Sequence, residues 1–247
     1  RSIEAKKVLY ASHCPDCQTE LIRIEGEADH YCPNHEGCTT QIVGRIQHFI
    51  SRKAMNIYGL GSETIELLYQ QRLIVSYADL YALTYDQLIP LERMADKSVQ
   101  NILDAIEESK KVPFERLLFA LGIRYVGQTV AKKLASHFGS IDALAKADVE
   151  TLVEVDEIGS RIAESVVDFF ASLTNIQIID QLKMYGLQFE SKLAEHQPIS
   201  NILSGQSFVI SGVFSSHSRD EIKKLVEDHG GKISSSLSSK TTYLLAG

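Results

Sequence analysis

No cysteine occurs after Cys38 in this chain of 247 residues; all four thiols fall between Cys14 and Cys38. Long apolar runs are also missing. Nothing reaches the roughly 18 residues that a membrane-spanning helix needs, so no membrane span is expected. The opening "RSIEAKKVLY" lacks the apolar centre of a signal peptide. It also lacks an initiating Met, and the expectation is a chain that begins inside a longer protein. Positive charge is in short supply: 25 Lys and Arg face 32 Asp and Glu, a net charge of -7. That excludes a surface that holds nucleic acid by bulk charge alone. Any such contact must be local or made by backbone groups. The 44% hydrophobic content suffices for a sizeable core, and the length suits one large domain or two to three small ones.

The thiols follow the pattern C-x2-C, fourteen residues, C-x5-C: Cys14, Cys17, Cys32 and Cys38. Two close pairs on either side of a hairpin-length segment fit a tetrahedral zinc site with four cysteine ligands. The intervening "QTELIRIEGEADHY" reads as two short strands about a Glu-Gly turn. So polar a segment cannot build a core, and the metal would supply its folding energy. Four thiolates close the coordination shell, which makes the metal structural rather than catalytic. His13, His30 and His35 are substitute ligands or bystanders. Two disulfides in a secreted protein are the other reading; zinc on reduced thiols implies the cytoplasm.

From about Gln41 to Leu193 the composition is that of helices. One local pattern recurs four times there: "IYGLGSETIELL", "LERMADKSVQNIL", "IRYVGQTVAKKL" and "VDEIGSRIAESV". Aligned on Gly61, Ala95, Gly127 and Gly159, the units are spaced by 34, 32 and 32 residues. Apolar residues recur four before the anchor (Ile57, Leu91, Ile123, Val155) and directly before it (Leu60, Met94, Val126, Ile158). They recur again four after it (Ile65, Val99, Ala131, Ala163) and seven after it (Leu68, Ile102, Leu134, Val166). A near-constant period with a fixed apolar frame marks a repeat architecture. Each unit reads as a helix, a tight turn at the small anchor and a second helix. The anchor lets the backbone approach an outside object. The second helix then offers unpaired N–H groups and its positive dipole end, an anion site built of backbone.

The remainder reads as a linker around Pro198–Gly205, a buried strand "SFVISGVF", an amphipathic helix "SRDEIKKLVEDHGG" capped by Ser218, and two strands in "KISSSLS" and "TTYLLAG". His48 reads as a packed side chain rather than a catalytic base. No Lys-x-Asp-Gly motif exists; Lys146 in "KADV" comes nearest, with Val149 where the glycine would be.

The four units resemble the helix-hairpin-helix family, whose apolar-x-Gly-apolar-Gly turn grips the DNA backbone. "IYGLG" matches in full, whereas Arg93, Tyr125 and Glu157 replace the first glycine elsewhere and Ala95 the second. The tail resembles the start of a BRCT domain, a docking module, and ends before the last strand and helix of that family. Ser211-Gly212 fits the place where some members read phosphopeptides. The order of parts, with "HCPDCQTEL", "HFISRKAMNIYGLG", "LLFALGIRYVG" and "LASHFGSIDAL", resembles the C-terminal half of bacterial NAD-dependent DNA ligases.

That resemblance implies a mainly α fold with five segments. These are the end of an oligonucleotide-binding barrel (1–13), a four-cysteine zinc finger (14–40), a helix-hairpin-helix domain of four units (41–193), a linker (194–202) and a partial α/β BRCT domain (203–247). It implies a parent that seals nicks in duplex DNA in replication and repair. NAD would be bound outside this chain and one structural zinc inside it. Partners would be nicked duplex, the remaining N-terminal ligase domains and a protein docked on the tail, in the bacterial cytoplasm at the nucleoid. The fragment alone is expected to be inactive. Expected DNA contacts are Gly59, Gly61, Arg124, Gly127, Lys132, Lys133, Gly159 and Arg161, with hairpins one and three foremost. A stand-alone repair scaffold and a protein-interaction adaptor without ligase activity are the alternatives.

Overall fold

The structure, a computed structural model, describes residues 11–24, 26–191, 200, 202–212, 214, 217–234, 236–237 and 241–247. The expected barrel end, apart from 11–13, and the expected linker, apart from 200 and 202, lie outside the described residues. The chain divides into two compact units, one running to Glu190 and one from Ser191 to Gly247.

The first unit opens with two very short antiparallel strands, β1 (Ile22–Arg23) and β2 (His30–Tyr31), paired Ile22 to Tyr31 and Arg23 to His30. Gly26, at φ +82°, takes the left-handed conformation of the turn between them. Helix α1 (Thr39–Ile50) follows directly on Cys38 and buries Ile42, Val43, Ile46, Phe49 and Ile50. Next come α2 (Ser62–Gln70), a 3-10 turn (Tyr77–Ala82), α3 (Tyr85–Leu88), α4 (Asp96–Ser109) and α5 (Phe114–Ala120). After them run α6 (Gln128–Phe138), α7 (Ile141–Leu144), α8 (Val149–Val153), α9 (Ser160–Ala171) and α10 (Leu173–Met184). Four helix pairs pack as hairpins: α1 on α2, α3 on α4, α5 on α6 and α8 on α9.

The apolar frame of the repeat forms the centre of this unit. Of the sixteen frame residues, all except Met94 are buried, and Met94 packs partly buried against the same core. That core runs from Ile42 to Phe189 and contains no cysteine. Each buried Leu or Ile contributes on the order of 2 kcal/mol, so the frame alone accounts for the fixed spacing of the hairpins. His48 is a packed side chain, as expected. Its Nε2 sits 2.9 Å from the Phe119 carbonyl oxygen and its ring meets Phe119 edge-on, which ties α1 to α5. Among the described residues no single helix is long and apolar enough to cross a membrane.

In the second unit β3 (Ser207–Ser211), β4 (Lys232–Ile233) and β5 (Tyr243–Ala246) form a parallel sheet in the order β4-β3-β5, and helix α11 (Arg219–Asp228) lies between β3 and β4 in the chain. Ser218 caps α11 in a capping box with Glu221. Gly212, at φ +94°, ends β3; a side chain there would run into the Gly247 carbonyl.

Candidate nucleic-acid interface and metal centre

The four cysteine sulfurs converge, all within 4.8 Å of one another. Cys14 and Cys38 lie 3.9 Å apart, Cys17 and Cys32 3.5 Å. Thiolates bound to one zinc at about 2.3 Å stand roughly 3.8 Å from each other, so the donor set fits that ion. No pair is bonded as a disulfide. The histidines that sequence offered as substitutes do not join the group: His13 bonds Ser12 and His35 bonds Gln41, and the cluster is the four sulfurs. Hydrogen bonding to Thr19 pulls the Cys17 thiol down to about 6. Burial pushes Cys38 up to about 12. A bound divalent cation overrides burial, because it deprotonates the thiols that coordinate it.

The cluster is joined to the helical domain through Asp16. Cys38 is the N-cap of α1 and makes no side-chain cap, since its sulfur faces the other three. Asp16 supplies the missing cap from a distance, its carboxylate accepting the Thr40 N–H at 3.0 Å. That hydrogen bond holds the Asp16 carboxyl below its ordinary range.

The hairpins share one geometry, which differs from the sequence reading at one point. The tight turn is not at the anchor. Gly61, Ala95, Gly127 and Gly159 are the N-caps of α2, α4, α6 and α9, all at extended φ between -79° and -133°. The left-handed residue stands two positions earlier: Gly59 at +89°, Arg93 at +63°, Tyr125 at +63° and Glu157 at +67°. Three non-glycine side chains therefore occupy a conformation that costs L-residues about 1–2 kcal/mol. Each reaches across to a neighbouring hairpin. Arg93 pairs with Glu63 of α2 at 3.0 Å, Glu157 with Lys133 of α6 at 2.9 Å, and the Tyr125 hydroxyl meets Arg161 of α9 at 2.8 Å. The hairpins are wired in pairs, one with two and three with four.

None of the four anchors makes a side-chain cap, whereas Ser140, Asp148 and Ser172 cap α7, α8 and α10. A Cβ added at Gly61, Gly127 or Gly159 would meet nothing within 4 Å. Neither φ nor packing requires glycine at those places. Acidic residues separate the pairs: Glu63 and Asp96 occupy the first turns of α2 and α4, while α6 and α9 carry none.

The expected basic residues divide. Lys133 is taken up by Asp156 at 3.2 Å and by Glu157, which together raise its pKa, the Glu157 hydrogen bond foremost. Arg124 and Arg161 both meet the Glu27 carboxylate, Arg124 at 2.9 Å. Lys132 lines a cleft with Lys53, Arg116, Phe119 and Gln128. Arg116, which sequence did not flag, donates to the carbonyls of Arg52 and Ala54 at 2.7 and 2.6 Å and so fixes the loop beyond α1.

Family models match in three places: the NAD-dependent DNA ligase C4 zinc finger domain at residues 13–39, the helix-hairpin-helix motif at 116–179 and the BRCA1 C Terminus (BRCT) domain at 198–247. The second match covers hairpins three and four. Over all of this chain, the DNA ligase of Flavobacterium psychrophilum is 56% identical and that of Christiangramia forsetii 58%. The DNA ligase of Bacteroides fragilis is 54% identical. The chain spans 37% of the length of each of these relatives.

Proposed function

We infer that this chain is the C-terminal, DNA-gripping region of an NAD-dependent DNA ligase. The identity shared with DNA ligases along the whole chain supports the parentage. One observation carries the DNA role: three of four equivalent helix N-termini lie behind a glycine whose missing side chain would point into open space. A residue that neither the turn nor the core demands is accounted for by a partner that comes close to the backbone. The first-turn amides and the helix dipole suit an anion, and a duplex presents anions at regular spacing. Such contacts ignore base identity, as sealing nicks at arbitrary sequence requires.

The first turns of α6 and α9 carry no acid, so hairpins three and four make the primary grip in this reading, with hairpin one assisting and hairpin two, with Ala95 and Asp96, acting as a connector. This shifts the weight from hairpins one and three, which the motif alone favours. The zinc module sets the start of α1, the BRCT-like unit docks a protein partner, and NAD binding and lysine adenylation belong to the remainder of the parent in the bacterial cytoplasm. The chain itself is then catalytically silent.

A gel shift against nicked duplex at two salt concentrations tests the assignment. Binding with a shallow salt dependence is expected, because backbone amides displace few counterions. No binding at low salt would favour a protein-interaction adaptor. Lys132→Ala is expected to weaken binding and to lower the salt slope by about 0.9, the change for one lost phosphate contact. An unchanged slope would remove Lys132 from the interface.

A further inference from the structure

We propose that Glu27 is a latch that holds hairpins three and four in their gripping register and makes that register depend on the metal. The proposal rests on the DNA-gripping reading. Glu27 stands on the turn between the two cysteine pairs, where its N–H donates to the Ile24 carbonyl at 3.0 Å and its own carbonyl accepts Arg23 Nε at 2.8 Å. Its side chain is only 11% exposed. One oxygen accepts the Tyr125 hydroxyl at 2.6 Å and meets Arg161; the other takes Arg124 at 2.9 Å.

These donors belong to two hairpins. Arg124 and Tyr125 form the turn of hairpin three, while Arg161 lies in the first turn of α9 in hairpin four. The Tyr125 ring has the Arg124 guanidinium 4.9 Å from its centroid and that of Arg161 4.4 Å away. Arg124 also lies 4.4 Å from the ring centroid of Tyr31, the neighbour of Cys32. A single carboxylate thus pairs with two guanidinia, leaving one net positive charge, and steadies a tyrosine held at φ +63°. Without it, two like charges would crowd one aromatic ring beside the amides proposed to meet phosphate.

The strands that present Glu27 are two residues each, too short to hold themselves. The four sulfurs hold them, so releasing the metal releases Glu27 as well.

The test uses the whole chain and the isosteric substitution Glu27→Gln. Affinity for nicked duplex is read with and without chelator, and amide exchange at residues 123–128 and 159–163 is read without DNA. The latch requires Glu27→Gln to keep its zinc, to lose about five- to tenfold in affinity and to speed exchange in both segments, as expected for a coupled ionic network. Chelating the wild type should reproduce both effects, and chelating Glu27→Gln should add less than it does in the wild type. Tighter binding by Glu27→Gln would overturn the latch in favour of a carboxylate that masks the arginines. Equal chelator losses in the two proteins, or unchanged exchange, would overturn it too. A wild type that binds no DNA would sink the functional reading alone, since the exchange experiment stands without it.

Discussion

Gly127→Asp is expected to leave the melting temperature unchanged or slightly raised, and to weaken binding to nicked duplex by about ten- to a hundredfold, the equivalent of one or two strong charged contacts. The N-cap of α6 is extended, at φ -79°, and a Cβ there meets nothing within 4 Å. Aspartate is among the best N-caps and would accept the very first-turn amides proposed to clasp phosphate. It would also set a negative charge at the dipole's positive end, where the DNA anion should sit. Fold and function therefore respond in opposite directions. The same holds for Gly159→Asp, with a smaller loss at Gly61→Asp because Glu63 already weakens that site. Gly59→Ala is the control. Its φ of +89° and a Cβ only 2.9 Å from Ile102 Cγ1 should cost about 1–3 kcal/mol of stability. Fluorescence polarisation beside a thermal melt reads both quantities. A Gly127→Asp protein that binds like the wild type would mean that these N-termini do not face the duplex.

The anchor spacing made the hairpins legible because burial is periodic and sequence displays periodicity. Ile65, Val99, Ala131 and Ala163 are fully buried at the same offset in each unit. The cysteine cluster was legible for a similar reason, as ligand spacing is a local property. Backbone conformation was not. Arg93, Tyr125 and Glu157 look like departures from the glycine motif, yet all three take the left-handed turn, held there by partners in other hairpins. Sequence cannot reveal such partners, because they are distant along the chain: Tyr125 and Arg161 are 36 positions apart, and Arg124 and Glu27 are 97 apart. For the same reason Arg124, Lys133 and Arg161 read as available cations when each already faces a carboxylate. Arg116 reads as a surface charge, whereas it holds the loop leaving α1.

Cys38→Ser, or metal chelation of the wild type, should abolish the order of residues 14–38 while leaving most helix content in place. The first half follows from size. Two strands of two residues bury too little to fold unaided, and closing a four-thiolate zinc site supplies an apparent 10 kcal/mol or more in small zinc modules. The second half follows from where the core lies, between Ile42 and Phe189 with no cysteine in it. Serine is itself a favoured N-cap, so α1 gains a local cap in Cys38→Ser as it loses the distant one from Asp16. Helix loss by circular dichroism should therefore be small, bound zinc should fall from one per chain towards none, and trypsin should gain access at Arg23. Global unfolding would show that the module is part of the core after all. Protection of 14–38 that survived without metal would show that the thiols converge for another reason. If order is lost in 14–38 alone, a fall in DNA affinity in the same sample reports that losing the small module disturbs the hairpins it touches through Glu27, and not that the helical fold has failed.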